Sequence, residues 1–306
     1  MMIDIVVLCY NEEEMIPLFY DEIDKILSSL SVPHRYIFVD DGSSDNTLKI
    51  IKKLASSSNA VSYVSFSRNF GKEAGIYAGL KSSSGDYVCI IDADLQDPPS
   101  LIPDMISILN ENHYDCIATR RVSRKGEPVI RSFLSKNFYK FFNKFSDIEL
   151  VDGVRDFRMM RRPMVDAILE LCEYNRFSKG IFSWVGFETK YLEYENIERT
   201  KGETNWSLFS LFKYSLEGIL SFSTVFLHIS TILGVVFSIL SFVSIIIIFI
   251  RTLLFGDPVS GWPSTISIIL LIGGVQLLCI GILGQYLAKV YMEIKQRPIY
   301  IIKEKN

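Results

Sequence analysis

Two long stretches without any charged side chain constrain this chain more than any other feature. Neither Gly218–Ile250 nor Val259–Ala288 contains Asp, Glu, Lys or Arg, and each carries runs such as IIIIFI or IILLI. Each exceeds the roughly 20 residues an α-helix needs to cross a bilayer. Covering both all round in a soluble fold of 306 residues would be costly. The reading is therefore two membrane spans, about His228–Ile250 and Ser264–Leu287, within a transmembrane unit at 225–288. The mean hydropathy of +0.24 is concentrated in them.

Charge around the spans predicts their orientation. The tail at 289–306 carries Lys289, Lys295, Arg297, Lys303 and Lys305 against Glu293 and Glu304, whereas the link Arg251–Pro263 carries only Arg251 and Asp257. The positive-inside bias puts the tail and the N-terminal part on the cytoplasmic side, with the link outside. No signal peptide precedes the first strand, which fits a cytoplasmic N-terminal domain. Two spans are too few to enclose a transport path. Gly273, Gly274, Gly281 and Gly284 offer close helix contact and make self-association plausible.

The first 205 residues read differently. Ile3–Cys9, Arg35–Asp41, Val61–Phe66 and Tyr87–Ile91 are short apolar, β-rich runs, each followed by polar turn residues and an amphipathic helix. A βα repeat of this kind predicts a parallel sheet with its ligand site beyond the strand C-termini. No Gly-x-Gly-x-x-Gly follows the first strand, and no phosphate-loop lysine motif is present. The formal net charge of −3 argues against a nucleic-acid partner. The five cysteines are widely spaced and mostly within apolar runs, so they read as small hydrophobes in a reducing compartment.

The stretch DYVCIIDADLQDPP places Asp92, Asp94 and Asp97 just after a buried strand, closed by Pro98 and Pro99. Carboxylates there are costly to desolvate without a positive neighbour. A divalent cation supplies that charge and in turn holds a diphosphate; the alternative is a solvated acidic loop. Asp40 and Asp41 end the second strand, where each either caps a turn or, for Asp41, takes a base N–H. Asp156 lies between Arg155 and Arg158, surroundings that keep a carboxylate charged, or that form a structural ion pair.

Segment 120–131 is basic and glycine-bearing, suited to a lid or to a lipid surface. Segment 133–145 reads as an amphipathic helix striped by Lys136, Lys140 and Lys144, and 206–224 as a second helix at the interface. Arg199 and Lys201, spaced i,i+2, suit a diphosphate if extended.

Taken in order, YNEEE, VDDGSSDNT, SRNFGKEAG, DADLQDPP, RDFRMMRR and RTKGETNWS, with two spans and a YxxxKxRPxY-like tail, resemble the polyprenyl-phosphate glycosyltransferases of family two. That group includes bacterial undecaprenyl-phosphate glucosyltransferases and dolichyl-phosphate mannose synthase. The resemblance implies a GT-A fold, α/β and Rossmann-like with a mostly parallel sheet, over residues 1–205. It implies Mg²⁺ or Mn²⁺ as cofactor, a nucleotide-sugar donor and inversion at the anomeric carbon. Asp41 and the similarity to the bacterial members favour UDP-glucose or UDP-N-acetylglucosamine as donor and undecaprenyl phosphate as acceptor.

By motif, Asp94 resembles the metal-binding carboxylate and Asp92 its ribose-side partner. Tyr10, Asn11, Glu12, Asp41, Arg68 and Lys72 fall in donor-binding motifs. Asp156 resembles the aspartate assigned as catalytic base, with Arg158 beside it, and Arg199 and Lys201 match the basic pair near the phosphates. Arg155 stands where the motif more often has glycine. Some relatives are tetramers, so the resemblance implies a homo-oligomer in a bacterial cytoplasmic membrane. Mannosyl transfer from GDP-mannose and a processive polysaccharide synthase are the competing readings.

Overall fold

The computed structural model describes residues 1–30, 32–111, 113–122, 139–140, 142–146, 148–195, 218–255 and 261–306. Arg199 and Lys201, expected at the phosphates, and most of the expected basic segment 120–131 and interface helices 133–145 and 206–224 lie outside the described residues. Strands β1 (Ile3–Cys9), β2 (His34–Asp40), β3 (Val61–Phe66) and β4 (Tyr87–Asp92) alternate with helices. The helices are α1 (Met15–Ser29), α2 (Thr47–Ser57), α3 (Lys72–Ser82) and α4 (Ile102–Asn110). Beyond them lie β5 (Cys116–Arg121), β6 (Val154–Arg161), α5 (Arg162–Glu170), α6 (Ser178–Trp184) and β7 (Thr189–Tyr194). Two long helices, α7 (Val225–Phe255) and α8 (Trp262–Ile294), precede a final strand, β8 (Ile302–Lys305).

The strands form one sheet in the order β7-β5-β6-β4-β1-β2-β3-β8. β1 lies between β2 and β4, parallel to both, and its apolar run is buried on both faces. Ile3, Ile5 and Val7 join Ile16, Phe19 and Ile23 of α1 in one layer; Val6 joins Ile76 and Leu80 of α3 in the other. α3 sits close to the sheet because Gly79 has no side chain: a Cβ there would come within 2.1 Å of Val6 Cγ1. The one charge inside β1, Asp4, is fully buried. It accepts two hydrogen bonds from Arg35, at 3.1 and 2.8 Å, and one each from the amides of Ser84 and Gly85.

The sheet is mixed, which corrects the expectation of a parallel repeat. β6 runs antiparallel to both β4 and β5, and β8 runs antiparallel to β3. The chain leaves the sheet after β5 and re-enters only at Val154, from the ligand-binding edge. β6 therefore begins where β4 ends. The register pairs Ile90 with Arg158, and two residues further along lie Asp92 and Asp156. β7, parallel to β5, and β8 had no strand signal in the sequence reading, being half-exposed and polar.

α7 and α8 are long and apolar enough to cross a membrane. Their apolar side chains, among them Ile239, Phe242, Leu277 and Leu283, point outward. The lower end of α8 is tied to the sheet domain. Tyr286 donates to the Ser223 carbonyl at 2.7 Å, Lys289 to Ser221 Oγ at 2.8 Å, and Glu293 accepts the Tyr174 amide at 2.9 Å. The chain beyond α8 then returns to the sheet as β8.

Candidate active site

Polar residues collect at the C-terminal ends of β1, β2, β3 and β4, and cross-links between their loops fix them. Asn11, after β1, adopts a left-handed backbone (φ 54°), uncommon for a residue with a side chain and concentrated at functional sites. Its amide N–H donates to Ser43 Oγ at 3.0 Å, and its side-chain oxygen accepts the Ser44 amide at 2.9 Å. The Glu12 amide reaches Thr47 Oγ1 at 2.8 Å. Tyr10 is exposed beside them.

Asp40 is buried and takes the Ser43 amide and the Ser65 hydroxyl, so it acts as a turn cap. Asp41 spends both carboxylate oxygens on the amides of Phe70 and Gly71, at 2.6 and 2.9 Å. Burial raises its pKa against the pull of those two N–H groups. Gly42 (φ 68°) lets the β3–α3 loop press in, since a Cβ there would lie 2.4 Å from the Arg68 carbonyl carbon. Arg68 lies with its guanidinium 4.0 Å from the centre of the Phe70 ring.

Lys72 opens α3, and Asp41 holds the turn just before it. Its Nζ lies 2.7 Å from Asp92 Oδ2 and 2.7 Å from Asp156 Oδ2. Burial would weaken the ammonium, but the two carboxylates hold its pKa well above the ordinary lysine value. The carboxylates are pushed apart. Asp92 is raised, chiefly by burial, with Asp97, Asp156 and Asp94 adding repulsion against the pull of Lys72. For Asp156 burial works upward too, yet Lys72, Lys179 and Arg158 together hold it below the usual carboxylate range. Opposite shifts on adjacent carboxylates characterise sites that assign different chemistry to each.

The neighbours expected from the sequence do not supply that charge directly. Arg155 turns to Asp97, donating at 3.0 Å. Arg158 is buried, stacks 3.6 Å over the Phe182 ring and donates to the backbone carbonyls of Arg155 and Asp156. Lys72, far from Asp156 in sequence, is the direct partner, and Lys179 was missed altogether. Lys72 was legible as a donor-motif residue but not as the partner of Asp156, and Lys179 had no signal beyond a basic residue at a helix start.

The acidic turn after β4 is also shaped by strain. Leu95 has φ 56°, a genuine outlier for a bulky side chain. Asp94, half-buried, accepts the Gln96 amide at 3.1 Å. Asp97 is buried between Arg155 and the Tyr194 hydroxyl, at 2.6 Å. Its second oxygen has no hydrogen-bond partner among the described residues.

An α/β sheet with a carboxylate-rich turn at the edge of its central strands is here joined to two apolar helices long enough to cross a membrane. The family model described as glycosyl transferase family 2 matches residues 4–169, and the chain belongs to that family. It is 43% identical to CsbB of Bacillus subtilis (strain 168), a glycosyltransferase by name, over 100% of this chain and 92% of that protein. It is 42% identical to the SfII prophage-derived bactoprenol glucosyl transferase of Shigella flexneri, over 100% of this chain and 99% of that one. Among solved structures, glucosyl-3-phosphoglycerate synthase from Mycobacterium tuberculosis with Mn²⁺ and UDP-glucose is 22% identical, with a TM-score of 0.45. That likeness covers 72% of this chain and 77% of that one.

Proposed function

We propose that this enzyme transfers glucose or N-acetylglucosamine, with inversion, from a UDP-sugar to undecaprenyl phosphate, releasing UDP. The observation that carries the reading is Lys72 clasping Asp92 and Asp156 at the sheet edge, in a chain alike throughout its length to a bactoprenol glucosyl transferase. Tyr10, Asn11, Glu12, Asp41, Arg68 and Lys72 belong to the donor side; Asp156 and Arg158, with Arg199 and Lys201, belong to the acceptor and phosphates.

The residues fit a divalent cation of the Mg²⁺ or Mn²⁺ kind. Asp94 and Asp92 offer hard oxygen donors from one turn. Among the described residues no group of three or more His, Cys, Asp or Glu could cage a metal alone. Such a pair is what Mg²⁺ uses when substrate phosphates complete its shell. When bound, the ion neutralises the diphosphate that leaves.

The acceptor is a phosphate monoester with a second pKa near 6. At neutral pH it is mostly dianionic, so its oxygen attacks the anomeric carbon with little need for deprotonation. The bond from that carbon to the diphosphate oxygen breaks, and the electron pair leaves with UDP. Asp156, kept ionised by its cationic neighbours, is a weak base, so it serves mainly to orient the acceptor. Lys72 balances charge between donor and acceptor sides.

The pairing of β8 with β3 supports a topology with both chain ends on one face of the membrane, and the basic tail assigns that face to the cytoplasm. Residues 1–205 form the transferase unit and 225–288 its membrane anchor, with homo-oligomers through the glycine-bearing face of α8.

The test is to incubate the full-length enzyme, undecaprenyl phosphate and Mg²⁺ with labelled UDP- and GDP-sugars and identify the lipid product by mass. A lipid monophosphate hexose from a UDP-sugar is the expected product. Transfer from GDP-mannose alone would refute the donor, and a lipid diphosphate sugar with UMP released would refute the mechanism.

A further inference from the structure

A cavity of about 250 Å³ lies where the sheet domain meets the base of α8, beside the donor-side loop that carries Arg68. Arg68, Arg176 and Lys289 line it with Asn175, Ser221 and Glu73. Three cations thus face one carboxylate, and that carboxylate is engaged: Glu73 accepts both the amide and the hydroxyl of Ser178. Two acids stand nearby. Glu293 is turned to the amides of Tyr174 and Asn175, and Glu173 lies within electrostatic reach of Arg176.

The lining cations bias the cavity toward an anion. Arg176 is only 7% exposed, held 4.5 Å from the Tyr77 ring centre and bonded to the Leu171 carbonyl. Its Nε has no hydrogen-bond partner among the described residues, nor does the buried Asn175 Nδ2. Buried donors without partners cost about 1–3 kcal/mol each, more when charged. Burial also lowers the pKa of Arg176 despite its acidic neighbours. Arg68, exposed, and Lys289, half-exposed, are the cations an entering anion would reach, and charge-assisted bonds to phosphate oxygens suit them better than a neutral ligand.

Position selects the kind of phosphate. Lys289 is the first charged residue after the uncharged run Val259–Ala288, so it marks the depth at which headgroups meet the spanning helix. Lys72, one residue before Glu73, points instead to Asp92 and Asp156. We infer that this cavity holds the phosphate of an anionic membrane lipid, at a site that borders the donor loop through Arg68 and is distinct from the Lys72–Asp92–Asp156 cluster. The inference needs the chain to sit in a bilayer but does not need the donor assignment.

Native mass spectrometry of the full-length protein, titrated with phosphatidylglycerol, phosphatidylcholine, undecaprenyl phosphate or inorganic phosphate and no sugar nucleotide, tests it. One equivalent of phosphatidylglycerol should be retained over phosphatidylcholine. Loss of one charged hydrogen bond in Lys289→Gln or Arg176→Gln should weaken retention about tenfold. Lys289→Gln, at a half-exposed position, keeps the test usable if the buried Arg176 variant fails to fold. Asp94→Asn should bind lipid as the parent does, which separates this site from the transfer reaction. Retention of undecaprenyl phosphate in place of phosphatidylglycerol, equally sensitive to Lys289→Gln, would make the cavity part of the acceptor path and overturn its distinctness from the transfer site. Equal retention of phosphatidylcholine, retention unchanged in Lys289→Gln, or binding of inorganic phosphate alone would overturn it.

Discussion

Lys72 Nζ stands 2.7 Å from Asp156 Oδ2, joining the start of α3 to the start of β6 across a gap that no local motif spans. The same ammonium lies 2.7 Å from Asp92 at the end of β4. One cation thus sets the spacing of two carboxylates from separate strands, which would otherwise repel.

Replacing that cation should expose the repulsion. Lys72→Met is expected to lower kcat on the order of 100-fold, in the range of a lost proton-transfer or positioning group. Asp156 is held below its ordinary pKa, so its ionised form favours the folded state. That contribution is present above the unfolded pKa of about 3.9 and is lost as pH falls through the lower native value. The Tm difference between parent and Lys72→Met should be largest near about pH 7 and shrink on acidification below about pH 4. A difference constant with pH would show that Lys72 acts by packing alone.

Asp94 is half-exposed, with one oxygen on the Gln96 amide. Asp94→Asn keeps the shape and removes the charge. Metal-dependent transfer should fall by at least about 100-fold, with Tm within a few degrees of the parent. Turnover across Mg²⁺ and Mn²⁺ titrations checks this, and near-parental activity at all metal concentrations would remove Asp94 from the metal site.

Gly42 has φ 68°, and a Cβ there would press on the Arg68 backbone at 2.4 Å. Gly42→Ala combines left-handed strain with a steric clash and should cost about 1–3 kcal/mol. It should also move the loop whose amides Asp41 holds. A raised KM for the donor with a smaller change in kcat is the expected signature; unaltered kinetics would place the loop away from the donor.

β8 covers the edge of β3, with the Ser67 amide donating to the Ile301 carbonyl and the Tyr63 amide to Asn306 Oδ1. Removing residues 301–306 should leave an open strand edge that promotes association. At about 1 kcal/mol for each lost hydrogen bond, stability should fall by a few kcal/mol. Thermal unfolding and light scattering of the truncated protein report both effects.

The same pairing bears on topology. Single cysteines placed in the 256–260 link should react with an impermeant reagent from outside intact cells, and cysteines in the tail should not. A reactive tail with a silent link would invert the arrangement.

The sequence by itself was enough for the parts that depend on local pattern. The uncharged runs became α7 and α8, the apolar runs became β1 to β4, and the carboxylates at their ends became a cluster. Burial leaves a periodic mark along the chain, and that mark is readable one residue at a time. Only the tertiary structure decided the direction of β6, the partner of Asp156, the commitment of Asp41 to the amides of Phe70 and Gly71, and the return of the tail as β8. Pairing direction follows from where a long connection re-enters the sheet. An ion pair between α3 and β6 follows from that direction. Neither leaves a periodic trace, because both are contacts between segments whose neighbours in sequence say nothing about their neighbours in space.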